Sequence, residues 1–482
     1  MRAWVLLVVG VMLSGCGSER DASGVPGSNG RGPVGKADLP GSCRSTVGDS
    51  CGKQSKSGSC WCDATCVEYG DCCSDAKSVC GFGSSAGHFD YDLLSTSLDV
   101  DLEARSARAR IRFDAASASG ISLESQGLQI DAVSDASGPL AFETVDGRID
   151  VSVPPTAASA EIVVDYHFAQ KSSFDGLLAG GSTFVWPYFC GNLFPCKSDP
   201  ADGLSFQLDV HGAPSGESVV FPKSVDADAP SYMLAWATGA YSYRNLGTTA
   251  AGTQVGVYSL PGDEAGLDAA VAPLTAGFDW YEKTLGPYSF GHEVASVSVN
   301  WGPGAYGGME HHPYWHVGRD SMGDKTTHLH EAAHGWFGDG VRLACWEDFV
   351  LSEGTVSYLT ARAEGAAEGA AAEQEVWSDY ETRLQQAVAQ RDHVAWPDSC
   401  GQVDVLKDLF TSVPYMKGAF FYRAVAQKVG AAKLDQVIGK FYVAHVGKAA
   451  RMQDMLDAIQ SETGFDPTAL ADAWLRTKGI PN

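Results

Sequence analysis

Between Phe89 and Leu260 the chain reads in alternation. Ala107, Ala109, Ile111 and Phe113 alternate with Ser106, Arg108, Arg110 and Arg112. Ile149, Val151 and Val153 repeat the pattern, as do Leu204, Phe206, Leu208 and Val210. A period of two places every second side chain on one face, so these runs predict strands with one buried face. Gly, Pro, Ser and Asp clusters between them supply turns. An antiparallel β-sandwich or saddle is expected. After Pro261 the period changes. Leu267, Val271, Leu274, Phe278, Tyr281 and Leu285 follow helical spacing, with Pro273 interrupting. Ala295, Val297 and Val299 predict one strand, and Ala/Glu/Leu-rich stretches at 352–397 and 415–475 predict helices.

Upstream of the strands neither period appears. Arg2, an apolar run from Trp4 to Leu13, and the small residues Ser14 and Gly15 before Cys16 read as a secretory signal. A membrane-spanning helix is the alternative reading, but ten apolar residues reach only about 15 Å, half of a hydrocarbon core. Residues 17–42 are rich in Gly and Pro without periodicity, the pattern of a flexible tether. Eight cysteines then crowd together: Cys43, Cys51, Cys60, Cys62, Cys66, Cys72, Cys73 and Cys80. Trp61 and Tyr69 are the main large apolar residues among them, too few to fold so short a segment without cross-links. A thiolate metal cluster is the other use of such a segment; export to an oxidising space favours disulfides. Eight cysteines allow 105 pairings, and spacing does not choose among them.

Composition sharpens two points. With 34 basic and 59 acidic residues the formal charge is −25, which argues against nucleic acid as a partner. Thirteen cysteines leave one over in an exported chain. The knot takes eight, four allow two bridges, Cys190 with Cys196 and Cys345 with Cys400, and Cys16 is the one over. The parts are then a signal (1–15), a tether (16–42), a knot (43–80), a β unit (88–260) and a mostly helical unit (261–482), a multidomain α+β chain.

The candidate chemistry lies in the last unit. His330-Glu331-Ala332-Ala333-His334 is HExxH. On a helix its histidines share one face, and both can reach one zinc ion. Glu331 is rotated by about 100° from His330 and can serve as a base without ligating. Glu353 follows His334 after residues 335–352 and can complete a His₂Glu site with an open fourth position. Gly307-Gly308-Met309-Glu310 lies upstream; its glycines would admit a peptide backbone, and the Glu310 carboxylate can bind a free α-ammonium. His312, His316 and His328 are left without a role.

Three resemblances extend this reading. Leu13-Ser14-Gly15-Cys16 resembles the lipobox of bacterial lipoproteins, which implies a lipid anchor on Cys16; Gly17 points by the same resemblance to the outer membrane. CWCDATCVEYGDCCSDAKSVC resembles the somatomedin B domain, which implies a module for contact with another protein. HEAAHGWFGDGV and WEDFVLSEG resemble the aminopeptidase N family of zinc gluzincins, which includes leukotriene hydrolase. That resemblance covers about 88–482. It implies a thermolysin-like catalytic domain, one zinc ion on His330, His334 and Glu353, Glu331 as base, and peptide substrates. GGMEH at 307–311 resembles the family's exopeptidase signature, and Pro414-Tyr415-Met416-Lys417-Gly418 its PYxKG segment, which makes Tyr415 the donor to the oxyanion. Asp339, Ser352 and His311 stand where the family has Asn. The resemblance ends at GFDPTALADAWLRTKGIPN, without the family's usual C-terminal helical domain, so a more open site is expected. A zinc endopeptidase using the same centre and an inactive binding lipoprotein are the competing functions.

Overall fold

The computed structural model describes residues 42–43, 50–56, 60–63, 66, 73, 76–80 and 91–481, apart from 115–119, 146, 154–158, 173–174, 186–188, 303–306, 402–408 and 410. The signal, Cys16, the tether up to residue 41 and Cys72 lie outside the described residues. No helix among the described residues is long and apolar enough to cross a membrane.

In the cysteine-rich segment Cys43 pairs with Cys62, Cys51 with Cys80 and Cys60 with Cys73; Cys66 is also disulfide-bonded. Its small core is made of the buried Cys43, Cys60, Cys62, Cys66, Cys73 and Ala76. Trp61 is 39% exposed, so sulfur and not the aromatic ring fills this core. The segment includes the short helix α1 (Ala76–Cys80).

The β unit holds a seven-stranded sheet. Its order is Ser224–Ala229, Leu204–His211, Asp92–Asp101, Ser106–Asp114, Ser159–Phe168, Leu128–Asp135 and Gly138–Pro139. A three-stranded sheet of Gly120–Glu124, Arg148–Ser152 and Phe142–Val145 shares its apolar core. The alternation in 106–114 buries Ala107, Ala109, Ile111 and Phe113, as the pattern predicts. The outward Arg108 and Arg110 pair with Asp165 and Glu161 on the neighbouring strand. One expectation is corrected. Asp92–Asp101 runs parallel to Leu204–His211, so the sheet is mixed and not antiparallel. Alternation reports which face is buried; it carries no information on strand direction. Cys190 and Cys196 are bridged locally, as expected.

The second unit begins earlier than the change of period suggests. Ser242–Thr248 and Gln254–Ser259, placed in the β unit by their alternation, join a five-stranded sheet with Glu293–Val299, Tyr314–Gly318 and Gly308–Met309. Gln254–Ser259 pairs in parallel with Glu293–Val299, across the intervening helices. These are α2 (Glu264–Val271), kinked at Ala265 and Gly266, and α3 (Leu274–Leu285), entered through Pro273. Then come α4 (Lys325–Ala333), α5 (Phe349–Glu368), α6 (Ala370–Gln390), α7 (Ser412–Val429), α8 (Ala431–His445) and α9 (Met452–Thr463). The two long helical stretches are each cut by a glycine at positive φ, Gly369 at 98° and Gly430 at 91°. Such φ values are open to glycine without the Cβ penalty, and they end α5 and α7.

Helix α5 is buried on all sides from Phe349 to Ala361. Among its buried polar groups, Thr355 bonds Tyr422, and Tyr358 bonds Asp435. Against α7 it makes a direct backbone contact. A Cβ on Gly418 would lie 2.4 Å from the Gly354 Cα. Only paired glycines permit this approach, which sets Glu353 beside the α7 turn carrying Tyr415. The Cys345–Cys400 bridge, also expected, ties the entry of α5 to the segment preceding α7. Trp396 reinforces it by donating to Asp348 Oδ1 at 3.1 Å.

Alanine is normally the better helix former by about 1 kcal/mol. Gly418→Ala should therefore reveal the contact by its sign. We expect a loss of about 1–3 kcal/mol, the usual cost of overpacking, in denaturant unfolding. Unchanged or increased stability would show that α5 and α7 do not touch there.

Candidate metal centre

Helix α4 is started by Asp324, whose side chain accepts from Thr326 N at 3.1 Å. Its C-terminal turn carries His330 and Glu331, and His334 caps it with helical dihedrals. The i, i+4 spacing brings His330 Nε2 and His334 Nε2 to 3.3 Å. Glu353 from α5 closes the group, its Oε2 at 3.1 Å from His330 Nε2 and 3.4 Å from His334 Nε2. A tetrahedral zinc with ligands at about 2.0–2.1 Å requires ligand-to-ligand edges of about 3.3–3.4 Å. The triangle fits that ion. On His334 the tautomer is set from outside: Nδ1 donates to the Phe337 carbonyl at 3.0 Å, which turns a lone pair on Nε2 into the triangle. The turn that presents this carbonyl needs Gly338, at φ 106°; a Cβ there would lie 2.9 Å from His334 Nδ1. Ser352 Oγ fills the remaining space near that nitrogen.

Glu331 and Glu310 lie beside the triangle, both about 5% exposed. Ligand atoms of Glu310, Glu331 and His334 all lie within 4.8 Å of one another. The edge strand Gly308–Met309 runs past Glu331 so closely that a Cβ on Gly308 would stand 2.5 Å from its Cγ. Gly307 adopts φ 79°, and its N–H donates to Ser321 Oγ at 2.8 Å, which fixes the strand's entry. Met309 is buried next to Glu310. Tyr415 stacks on His330 at 6.0 Å between ring centroids. The structure thus gathers all nine proposed residues of the centre, from 307 to 415, at one place.

The electrostatics are those of a carboxylate-rich, desolvated site. Burial pushes the Glu331 carboxyl well up, and Glu310 and Glu353 add to it. Burial also raises Glu310. Glu353 is the exception: burial alone would raise it, but His334 and His330 hold it down. Burial would likewise depress His334, yet the surrounding carboxylates outweigh it and hold the imidazole well above its ordinary range. Burial keeps the Tyr415 phenol protonated.

The three unassigned histidines stay outside the triangle. His328 bonds Ser296 and the Met322 carbonyl. His312 bonds Tyr288 and the Glu331 carbonyl, so it supports α4. His316 is buried beside His311. Other groupings with metal-ligand geometry contain Cys43, Cys62 and Cys73, or Cys190 and Cys196, or Cys345 and Cys400, and these thiols are spent in disulfides. Sequence reasoning missed Tyr232, which reaches the site from the β unit and donates to Asp339 Oδ1 at 3.0 Å. Its surroundings, Ser231-Tyr232-Met233, carry no motif that could have marked it.

Residues 319–474 match the Peptidase family M1 domain. Aminopeptidase N of Streptomyces lividans is 27% identical over 242 residues, 47% of this chain and 28% of that protein. Leucine aminopeptidase 2 of Aspergillus terreus is 26% identical over 337 residues, 60% of this chain and 51% of that protein. The chain thus spans about half or less of these relatives' length. Among solved structures, the M1 zinc metallopeptidase of Deinococcus radiodurans shares the fold at TM-score 0.69 and 19% identity, covering 83% of this chain and 96% of that one. Yeast LTA4 hydrolase does so at TM-score 0.69 and 18% identity, covering 82% of this chain and 69% of that one. The M1 match includes α4, α5 and α7, the helices that supply His330, His334, Glu353 and Tyr415.

Proposed function

We propose that this chain is an M1-type zinc aminopeptidase, releasing N-terminal residues from peptides. The observation that carries the reading is the His330, His334 and Glu353 triangle with the buried Glu331 and Glu310 beside it. Two imidazoles and a carboxylate are the donor set of a catalytic zinc site with one open position. Zinc bound there would polarise the scissile carbonyl and make water acidic enough to attack near neutral pH. The protein's residues do the rest. Glu331, raised by burial, accepts the proton of the attacking water and passes it to the departing amine. Tyr415 donates its phenolic hydrogen bond to the oxyanion of the tetrahedral intermediate. Glu310 accepts from the substrate's α-ammonium and so sets the first peptide bond at the centre. Desolvation strengthens each of these contacts relative to water.

Amino-acid arylamides with free and N-acetylated amines test this directly. The free-amine substrates should be hydrolysed and the acetylated ones refused; equal turnover would indicate an endopeptidase, and none at all with zinc bound an inactive centre. Glu331→Gln should abolish turnover while zinc stays bound. Tyr415→Phe should cost about a hundred- to a thousandfold in kcat.

We further propose that the protein is a lipoprotein of the bacterial outer membrane, a reading supported by the signal-like residues 1–15 before Cys16. Several acyl chains on Cys16 would give a firm anchor. Labelled palmitate should enter the wild-type protein and not Cys16→Ser, which should leave the membrane fraction; label retained in the variant would remove the anchor.

A further inference from the structure

Tyr232 comes to Glu310 from the β unit. The two share the lining of a cleft, with Trp346, Phe349 and Ser352 around them. The phenol is buried, and it donates its proton to Asp339 Oδ1 at 3.0 Å. Asp339 is fully buried, and its other oxygen, Oδ2, has no hydrogen-bond partner. Its backbone N–H is tied to the His334 carbonyl at 3.2 Å, so the carboxylate is fixed relative to the metal triangle. A phenol carries one proton and two lone pairs. With the proton committed to Asp339, the oxygen turns acceptor character towards the Glu310 side. An α-ammonium has three N–H donors, and one carboxylate leaves at least one of them to be satisfied in a desolvated site.

We propose that Tyr232 Oη is a second acceptor for the substrate's α-ammonium beside Glu310, and that Asp339 is the positioning residue that orients it. The idea rests on the aminopeptidase reading and deepens it. Burial and the adjacent Asp339 and Glu310 carboxylates keep the phenol neutral. Removing Tyr232 Oη deletes an acceptor. Removing the Asp339 carboxylate frees the phenolic proton to turn on Glu310, where it competes with the ammonium.

The test is calorimetric binding to the zinc-loaded full chain, with L-leucinamide and with 4-methylpentanamide, which has the same skeleton without the amine. Wild type should prefer leucinamide. Tyr232→Phe should weaken leucinamide about tenfold, the scale of one hydrogen bond to a charged group, and change the amine-free amide less than about twofold. Asp339→Ala should behave the same way. Asp339→Asn, which keeps a carbonyl acceptor for the phenol, should restore leucinamide to within about threefold of wild type. A variant damaged only in packing would lose both ligands together, and that result overturns the proposal. So does full discrimination retained in Tyr232→Phe. If wild type itself shows no preference for the amine, the aminopeptidase reading falls, and this inference with it; the wild-type measurement separates that failure from the others.

Discussion

Charge is the constraint around which the centre is built. Glu310, Glu331, Asp339 and Glu353 are each at least nine-tenths buried, and they converge on two imidazoles. Burying one unpaired carboxylate costs several kcal/mol (order of magnitude); burying four close together is tolerable only with protons or cations among them. The electrostatics show the strain of the protein alone: Glu331, Glu310 and Asp339 are pushed towards the neutral acid, while the carboxylates push His334 towards the cation. A divalent ion in the triangle and an ammonium at Glu310 would neutralise the same cluster. The charge pattern that disfavours the empty site is the one that would bind metal and substrate amine.

Holding such a cluster requires a scaffold that cannot relax. The five-stranded sheet supplies one wall through Gly308, which touches Glu331. Helix α5 supplies another, buried all round, and its contact with α7 at Gly354 and Gly418 fixes Glu353 relative to Tyr415. At the entry of α5, Trp396 and the α9 backbone both donate to Asp348 Oδ1. Lys417 anchors α7 by donating to the Thr477 carbonyl at 2.6 Å. Small residues stand where backbones must approach, and polar anchors stand where helices begin.

Much of this was legible in the sequence. HExxH needs only helical geometry to bring His330 and His334 together, and Glu353, Glu310 and Tyr415 sat in recognisable segments. The strand faces were legible because alternation is a direct record of burial. What was not legible depends on pairing between distant segments. The parallel register of Asp92–Asp101 with Leu204–His211, and the transfer of Ser242–Thr248 and Gln254–Ser259 to the five-stranded sheet, leave no trace in local periodicity. Strand Glu293–Val299 shows the opposite effect. Its Ser296 and Ser298 are as buried as its valines, because an inner strand covered on both faces does not need to alternate. Tyr232 was invisible for the same reason as the strand pairings: its partner, Asp339, is 107 residues away.

The central claim is that His330, His334 and Glu353 hold one zinc ion. Zinc content after equilibrium dialysis, measured by elemental analysis on wild type, Glu353→Gln and the double variant His330→Ala/His334→Ala, tests it most directly. The account predicts one zinc per wild-type chain, marked weakening in Glu353→Gln and none retained in the double variant. Zinc at wild-type stoichiometry and affinity in the double variant, or no zinc in the wild type, would contradict it.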